Sequence, residues 1–513
     1  MKQRRTNINR RDFLKTLSAG TLGAVAASAL PSILSAAKSG RPNIVFILID
    51  DLGWTDLSCY GSTYYETPAI DQLAREGVRF TQAYCAHPRC VPSRYSIMSG
   101  KYPARGGVPG RNYNLPDKEF TIAEALKQAG YATFFAGKWH LGKENDARFP
   151  YPEKQGFDVN IAGGHIGAPG SYFFPYKGRR KTRKGKIKKV DVPGLEKGKP
   201  CEYLTDRLTW ETEKFIRQHK DEPFFVYLSH YAVHTPLQAK AAYIRKYEQK
   251  LATMPRPDRP PYIKEGRGET KLWQDHPVYA GMIQSVDESV AAILKLLKAL
   301  NLEDRTIIIF TSDNGGLSTR GFNRYKGKRE LPTSNFPLRA GKGWCYEGGI
   351  RVPLIVKWPG VTRAGSQSQA MVSGPDFYPT ILEMAGLPLK PEQHLDGISF
   401  VDVLKGKAET TRKRAFWHSP VGRPESTGDE NCTVVRDGDW KLIDWYDKGK
   451  LELYNIKQDM KEQHDLAAEM PQKRDELYQL IVEWRKEVNA YMASGDKKKK
   501  QRKKSRKAGR GNK

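Results

Sequence analysis

The chain has 513 residues, enough to bury a large core, and ordinary domain sizes suggest two or three structural units. Hydrophobic residues make up 39% and aromatics 11%, which excludes a disordered chain, and six scattered cysteines exclude a disulfide scaffold. The net charge of +29 belongs mostly to appendages: residues 1–37 carry +5, Lys177–Lys189 carries +9 and Lys497–Lys513 carries +11, so the body is nearly balanced.

The first segment reads as an address. Arg10-Arg11-Asp12-Phe13-Leu14-Lys15 precedes a small, apolar run from Thr16 to Leu34, and Ser35-Ala36-Ala37 offers a small-residue cleavage site. This order resembles a Tat-type export signal over residues 1–37, which implies the Tat export machinery as a partner and a periplasmic or secreted bacterial enzyme. A short core helix behind a basic patch is the plainer alternative. The apolar run is too short and too rich in Ala, Ser and Gly for a stable membrane span, and no other segment is apolar enough for one.

Five short, nearly continuous apolar runs read as buried strands: 43–49 (NIVFILI), 132–136 (ATFFA), 223–229 (PFFVYLS), 306–310 (TIIIF) and 353–358 (PLIVKW). Between them, 121–130 and 285–301 have helical periodicity, the first stopping at Gly130. Strands alternating with helices predict an α/β fold with a large, mostly parallel sheet covered on both faces, over about residues 38–406. Segments 163–200 and 238–276, rich in Gly, Pro and charge, read as surface insertions. From 407 to 494 the texture changes. Residues 433–456 read as successive antiparallel strands with turns at Asp437-Gly438 and Asp447-Lys448-Gly449, and 475–492 as an amphipathic helix, so a smaller C-terminal α+β subdomain is expected. Residues 495–513 form a basic tail with the composition of a disordered segment.

Polar residues collect where the apolar runs end. The first ends in Asp50-Asp51, the second in Gly137-Lys138-Trp139-His140, the third in His230 with His234 close behind, and the fourth runs into Asp313-Asn314. Ligands bind at the carboxyl ends of parallel strands in open α/β sheets, so these ends would build one site if adjacent. Asp50, Asp51, Asp313 and Asn314 offer hard oxygen ligands that suit Ca²⁺, with Mg²⁺ as the alternative, and do not suit zinc or copper. Asp51 also suits a helix cap and Asp313-Asn314 a plain turn; Lys138, His140, His234 and Lys342 also suit solvated or packing roles. Cys85, His87 and Cys90 lie close together, but no second ligand pair follows to complete a zinc site.

Cys90 breaks the tie. Pro92 suits the first turn of a helix that Gly100 ends, which places Cys90 at a helix N-terminus, where backbone N–H groups favour anions and thiolates. Arg94 is one turn further on. A thiolate nucleophile with a histidine base fits these residues.

Cys90-Val91-Pro92-Ser93-Arg94 also resembles the C-x-P-S-R signature of type I sulfatases, in which a maturation enzyme oxidises the cysteine to formylglycine. The blocks ILIDDLGW, GYATFFAGKWHLG, VHTP, TSDNGG and AGKGWCYEGGIRVPLIVKWPG resemble sulfatase blocks in the family's order, and the likeness covers about residues 41–466. It implies an alkaline phosphatase-like fold and hydrolysis of sulfate esters. It implies one divalent ion, usually Ca²⁺, held by Asp50, Asp51, Asp313, Asn314 and the residue made from Cys90. In that family the hydrated aldehyde attacks sulfur; Arg94, Lys138 and Lys342 would neutralise the sulfuryl oxygens, His234 would protonate the departing oxygen with Lys342 assisting, and His140 would release the sulfate. The implied partners are a sulfated small molecule or, for an exported bacterial enzyme, a sulfated glycan, together with the maturation enzyme. No specific nucleic-acid partner is expected. Lys177–Lys189 either gathers a polyanionic substrate or is a solvated loop. The rival functions are a phosphomonoester or phosphonate hydrolase of the same superfamily, and an inactive polyanion-binding protein.

Overall fold

The strand β1 (Asn43–Ile49) shows how the core is organised, because every one of its residues is buried and they alternate between two separate cores. Val45, Ile47 and Ile49 face one apolar cluster, and Ile44, Phe46 and Leu48 face the other. That is what a period-two strand does when both faces of its sheet are covered, and burying such side chains stabilises the fold by about 1.5–3 kcal/mol each. The computed structural model describes residues 40–110, 114–181, 187–321 and 330–493. The described residues from Pro42 onward form one compact unit. The expected signal (1–37), the basic tail (495–513) and residues 182–186 of the basic segment lie outside the described residues.

In chain order the remaining strands are β2 (Val78–Tyr84), β3 (Ala132–Gly137), β4 (Val159–Ile161), β5 (Arg179–Lys181), β6 (Ile187–Lys189), β7 (Phe224–Ser229), β8 (Tyr262–Glu265), β9 (Gly268–Lys271) and β10 (Thr306–Ser312). Then come β11 (Thr319–Gly321), β12 (Leu354–Lys357), β13 (Ser366–Ser373), β14 (Arg414–Ser419), β15 (Cys432–Asp437), β16 (Trp440–Trp445) and β17 (Lys450–Asn455). Eight of them build the central sheet in the order β13-β2-β12-β10-β1-β7-β3-β4. Only β12 runs against its neighbours; the other strands of this sheet are parallel, as expected.

The helices Pro68–Glu76, Leu204–Gln218, Ala241–Thr253 and Pro277–Ala299 cover one face. The helices Cys90–Ser99, Ile122–Gln128 and Phe377–Met384 cover the other. The helix expected from residue 285 begins at Pro277, where proline suits the first turn and His276 Nδ1 accepts from Tyr279 N. The segments expected as plain surface insertions are anchored in the core: Tyr172, Tyr176 and Tyr247 are all fully buried against the first cluster. Large rings with somewhere to bury outweigh the polar composition around them.

The C-terminal sheet is antiparallel in the order β14-β15-β16-β17. On one face Val435, Leu442 and Leu453 pack against Leu477 and Ile481 of the helix Pro471–Glu487. On the other, Trp417, Val434, Ile443 and Trp445 pack with Trp344, Cys345 and Tyr346. That second contact supports the loop carrying Lys342. No described helix is long and apolar enough to cross a membrane, and all six cysteines are free thiols.

Candidate active site

The parallel register brings four strand ends side by side. Ile49 pairs with Ser312, Leu48 with Ser229, and Gly137 with the same Ser229, so the residues that follow β1, β10, β3 and β7 emerge together. Asp50 and Asp51 follow β1, Asp313 and Asn314 follow β10, Lys138 follows β3 and His234 lies in the turn after β7. Gly137 has φ +104, and a Cβ there would meet Ser229 O at 1.9 Å; without one, Lys138 N donates to that oxygen at 2.7 Å.

Cys90 is the first residue of the helix Cys90–Ser99, which Gly100 ends in the left-handed conformation. Its thiol, the carboxylates of Asp50 and Asp313, all lie within 4.8 Å of one another. His140 Nδ1 lies 3.5 Å from Cys90 Sγ, and Gly167 packs so tightly on the His140 ring that a Cβ would come within 2.3 Å of it. Arg94 runs beneath: Nε donates to Asp313 Oδ2 at 2.8 Å, and Nη1 donates to Lys138 O at 2.7 Å and Ser229 Oγ at 2.6 Å. Lys138 Nζ donates to Asp50 Oδ2 at 2.6 Å. Lys342 Nζ reaches both oxygens of Asp51, at 2.6 and 2.7 Å, and Asn314 Nδ2 donates to Asp51 Oδ1 at 2.8 Å. His234 Nδ1 is 2.7 Å from Thr235 O, which assigns it the proton there, and its Nε2 lies 3.6 Å from Asp51 Oδ2.

Charge is concentrated but matched. Burial pushes the Asp50 carboxyl well up, with Lys138 opposing. Burial pushes Asp51 up too, but Lys342, His234 and Lys138 outweigh it and hold it well below the usual carboxylate range. The Cys90 thiol is lowered, because Lys138 and Lys342 overcome its burial. Burial and the neighbouring cations press His140 and His234 toward their neutral forms.

Two acceptors in this cluster are buried with no hydrogen-bond partner: Asp50 Oδ1 and Asn314 Oδ1. Orphaned buried oxygens are expensive, and a hard cation satisfies them. The donor set therefore fits Ca²⁺ or Mg²⁺. Among the described residues, Asp50, Cys90 and Asp313 form the only grouping of His, Cys, Asp or Glu atoms close enough to hold an ion; Cys85 and His87 are not in it.

A cleft of about 990 Å³ opens over the cluster, lined by Cys90, His140, His234 and Lys342 and, farther out, by residues 421–427. Arg94 and Lys138 do not line it. The expected metal-binding and catalytic residues thus converge here, whereas Cys85 and His87 stay outside the cluster and His230 turns away to bond Ser289 Oγ at 2.9 Å. Reading the sequence alone passed over Ser229, masked by the more conspicuous His230 beside it, and the 421–427 wall, which no motif marks.

A buried, cation-balanced carboxylate cluster at parallel strand ends, with an activated residue at a helix N-terminus, defines a hydrolase of anionic esters. The Sulfatase family model matches residues 42–387, and the N-sulphoglucosamine sulphohydrolase C-terminal model matches residues 340–489. The chain is 32% identical to a sulfatase of Formosa agariphila, over 84% of this chain and 85% of that one. It is 29% identical to an N-acetylgalactosamine-6-O-sulfatase of Bacteroides thetaiotaomicron, over 86% and 93%. The solved structure of Ps i-CgsB, also determined with k-i-k-neocarrahexaose, is 31% identical with a TM-score of 0.67, covering 86% of this chain and 92% of that one. The chain belongs to the sulfatase family, and it is a sulfuric ester hydrolase.

Proposed function

We propose that this enzyme releases sulfate from sulfated glycans, using a formylglycine made from Cys90 and a divalent ion, Ca²⁺ or alternatively Mg²⁺, held by Asp50, Asp51, Asp313 and Asn314. The observation that carries this is the placement of Cys90 over a carboxylate cluster whose Asp50 Oδ1 and Asn314 Oδ1 accept no hydrogen bond, the nearest cation to the former being Arg94 Nη2 at 3.7 Å. Bound there, the ion supplies positive charge for the sulfuryl oxygens, and the hydrated aldehyde supplies a nucleophilic oxygen.

The remaining roles follow from the chain itself. Lys342, on the cleft wall, neutralises a sulfuryl oxygen. Arg94 and Lys138 are buried, so their part is to hold Asp313 and Asp50 in place. His140, 3.5 Å from Cys90 Sγ and kept neutral, takes the proton whose loss frees the sulfate. His234, on the cleft lining with Nδ1 fixed on Thr235 O and Nε2 3.6 Å from Asp51 Oδ2, delivers a proton from Nε2 to the departing oxygen. Burial first, and the Lys342 and Lys138 cations after it, press His234 toward neutrality; an arriving sulfate offsets the cations' share and so favours that proton.

The glycan reading is supported by the likeness to the Bacteroides N-acetylgalactosamine-6-O-sulfatase and to Ps i-CgsB, which was solved with k-i-k-neocarrahexaose. The twin-arginine segment Arg10-Arg11 supports Tat export to the periplasm or beyond, and Cys90–Arg94 supports recognition by a formylglycine-generating enzyme. Sulfate release from defined sulfated saccharides, compared with the matching phosphate esters, is the test. Faster turnover of the phosphates, or undiminished turnover by Cys90→Ala, would overturn the reading.

A further inference from the structure

The cleft is fenced by segments from distant parts of the chain. Its lining includes the loop 421–427 between β14 and β15, Lys143 and Glu144 in the segment after β3, and Lys188 of β6. The loop is tied down from below. Arg89, the residue before Cys90 and only 5% exposed, pairs with Asp429 and donates to Val421 O. Asp429 is itself wholly buried, and it also accepts from Arg423 N at 3.2 Å and from Thr427 Oγ1. The Arg89–Asp429 pair therefore gathers Val421, Arg423 and Thr427 of the loop onto the residue adjoining the nucleophile position. Breaking such a buried pair leaves an uncompensated charge, so the loop is held in one place.

What the walls present is mostly positive. Arg423 stands on the clamped loop, and Lys143 and Lys188 on other segments of the lining; the acids on the lining are Glu144 and Glu425. Glu144 lies 3.5 Å from His165 Nε2. Lys143 is paired with Asp146 at 2.7 Å and is half exposed, an arrangement an anionic ligand displaces at little cost. No Phe, Tyr or Trp is among the described residues lining the cleft. A flat aryl or steroid body finds nothing there to stack on, whereas an anion finds charge.

We propose that the cleft mouth is a second anion-recognition site, in which Arg423, Lys143 and Lys188 hold a further sulfate or carboxylate of a saccharide chain whose reacting sulfate ester lies at Cys90. This rests on the glycan-sulfatase reading above. The Arg89–Asp429 pair is a positioning element of that site, acting through the loop.

The test is kcat/KM for sulfate release from three probes: a carrageenan hexasaccharide, whose anions are all sulfates; a chondroitin 6-sulfate hexasaccharide, which adds carboxylates; and 4-nitrophenyl sulfate, with one anion. Wild-type enzyme is expected to prefer at least one hexasaccharide over the aryl ester, and to lose that preference as salt is added. The double variant Lys188→Ala/Arg423→Ala should lose about tenfold or more of the preference, through KM, as expected for lost hydrogen bonds to a charged group. The hexasaccharide that loses more identifies the anion. Asp429→Asn should lower the same ratio; if it does not fold, as judged by its thermal melt, the double surface variant carries the test. A wild-type enzyme without the preference, or a double variant that keeps it, overturns the inference. Turnover of 4-nitrophenyl sulfate alone sinks only this inference, and turnover of none of the three sinks the glycan-sulfatase reading with it.

Discussion

Lys138 Nζ lies 2.6 Å from Asp50 Oδ2, and neither side chain has any exposed surface. A lysine so placed neutralises a carboxylate that burial alone would force to take up a proton. Lys138→Met should therefore do more than slow the reaction. Leaving Asp50 without its partner should cost about 3–5 kcal/mol of stability, read as a shift of the urea midpoint, together with loss of nearly all sulfate release. A variant within about 1 kcal/mol of wild type would show that the pair is not holding the cluster together.

Ser229 gives a subtler handle. Its hydroxyl accepts from Arg94 Nη1 at 2.6 Å and donates to Lys138 O at 2.8 Å, so it fixes the arginine that orients Asp313. Ser229→Ala leaves Arg94 with one acceptor fewer in a site without water access, and should cost about 1–3 kcal/mol of stability. Turnover should fall roughly tenfold, as expected when a group that orients a charged reactant is loosened. Unchanged kinetics would mean that Arg94 is held well enough by Asp313 and Lys138 O.

Removing divalent ions should abolish sulfate release, and Ca²⁺ should restore it. The bound ion should also raise the melting temperature, since a ligand present at a hundred times its Kd stabilises the fold by about 2.7 kcal/mol. Asp50→Asn should lose that Ca²⁺-dependent shift. Full activity in enzyme shown by atomic spectrometry to be free of metal would contradict the assignment of Asp50 and Asn314.

Acid should weaken the fold through His418, whose pKa burial lowers to about 4. The unfolded chain takes up that proton near 6.5, so between about 6.5 and 4 the unfolded state binds more protons and stability falls as pH falls. Asp56 and Asp287, pushed up to about 6 by burial, act in the opposite sense, so the informative quantity is a difference. His418→Gln keeps a hydrogen-bonding side chain near Thr433 and Tyr491 and should flatten the decline by up to about 1.4 kcal/mol per pH unit. Parallel wild-type and variant curves would rule out this histidine as a contributor.

The parts of the molecule that were legible in the sequence are those where one physical demand dominates. The run 43–49 could only be a strand buried on both faces, and carboxylates placed at its end had to find cations or a metal. β2 and β13 were not legible, because VRFTQAY and SQSQAMVS mix polar and apolar residues; the outer part of β13 is partly exposed, beyond the core. The direction of a cation was equally hidden. Arg94 and Lys138 read as groups that would meet the substrate, and the structure adds that Arg94 Nε and Nη1 and Lys138 Nζ bond Asp313, Ser229, the Lys138 carbonyl and Asp50, while Arg94 Nη2 is left without a hydrogen-bond partner. Pairs distant in sequence leave no local pattern at all: Arg89 and Asp429 are 340 residues apart and meet only because the C-terminal sheet packs against the loop that carries Lys342.

The most direct measurement of the account is the mass of the tryptic peptide Cys90–Arg94 from enzyme of known specific activity. The expected result is an aldehyde in place of the thiol, in a fraction that rises in proportion to sulfate release across preparations made with and without the maturation enzyme. Fully active enzyme carrying only the unmodified thiol would contradict it.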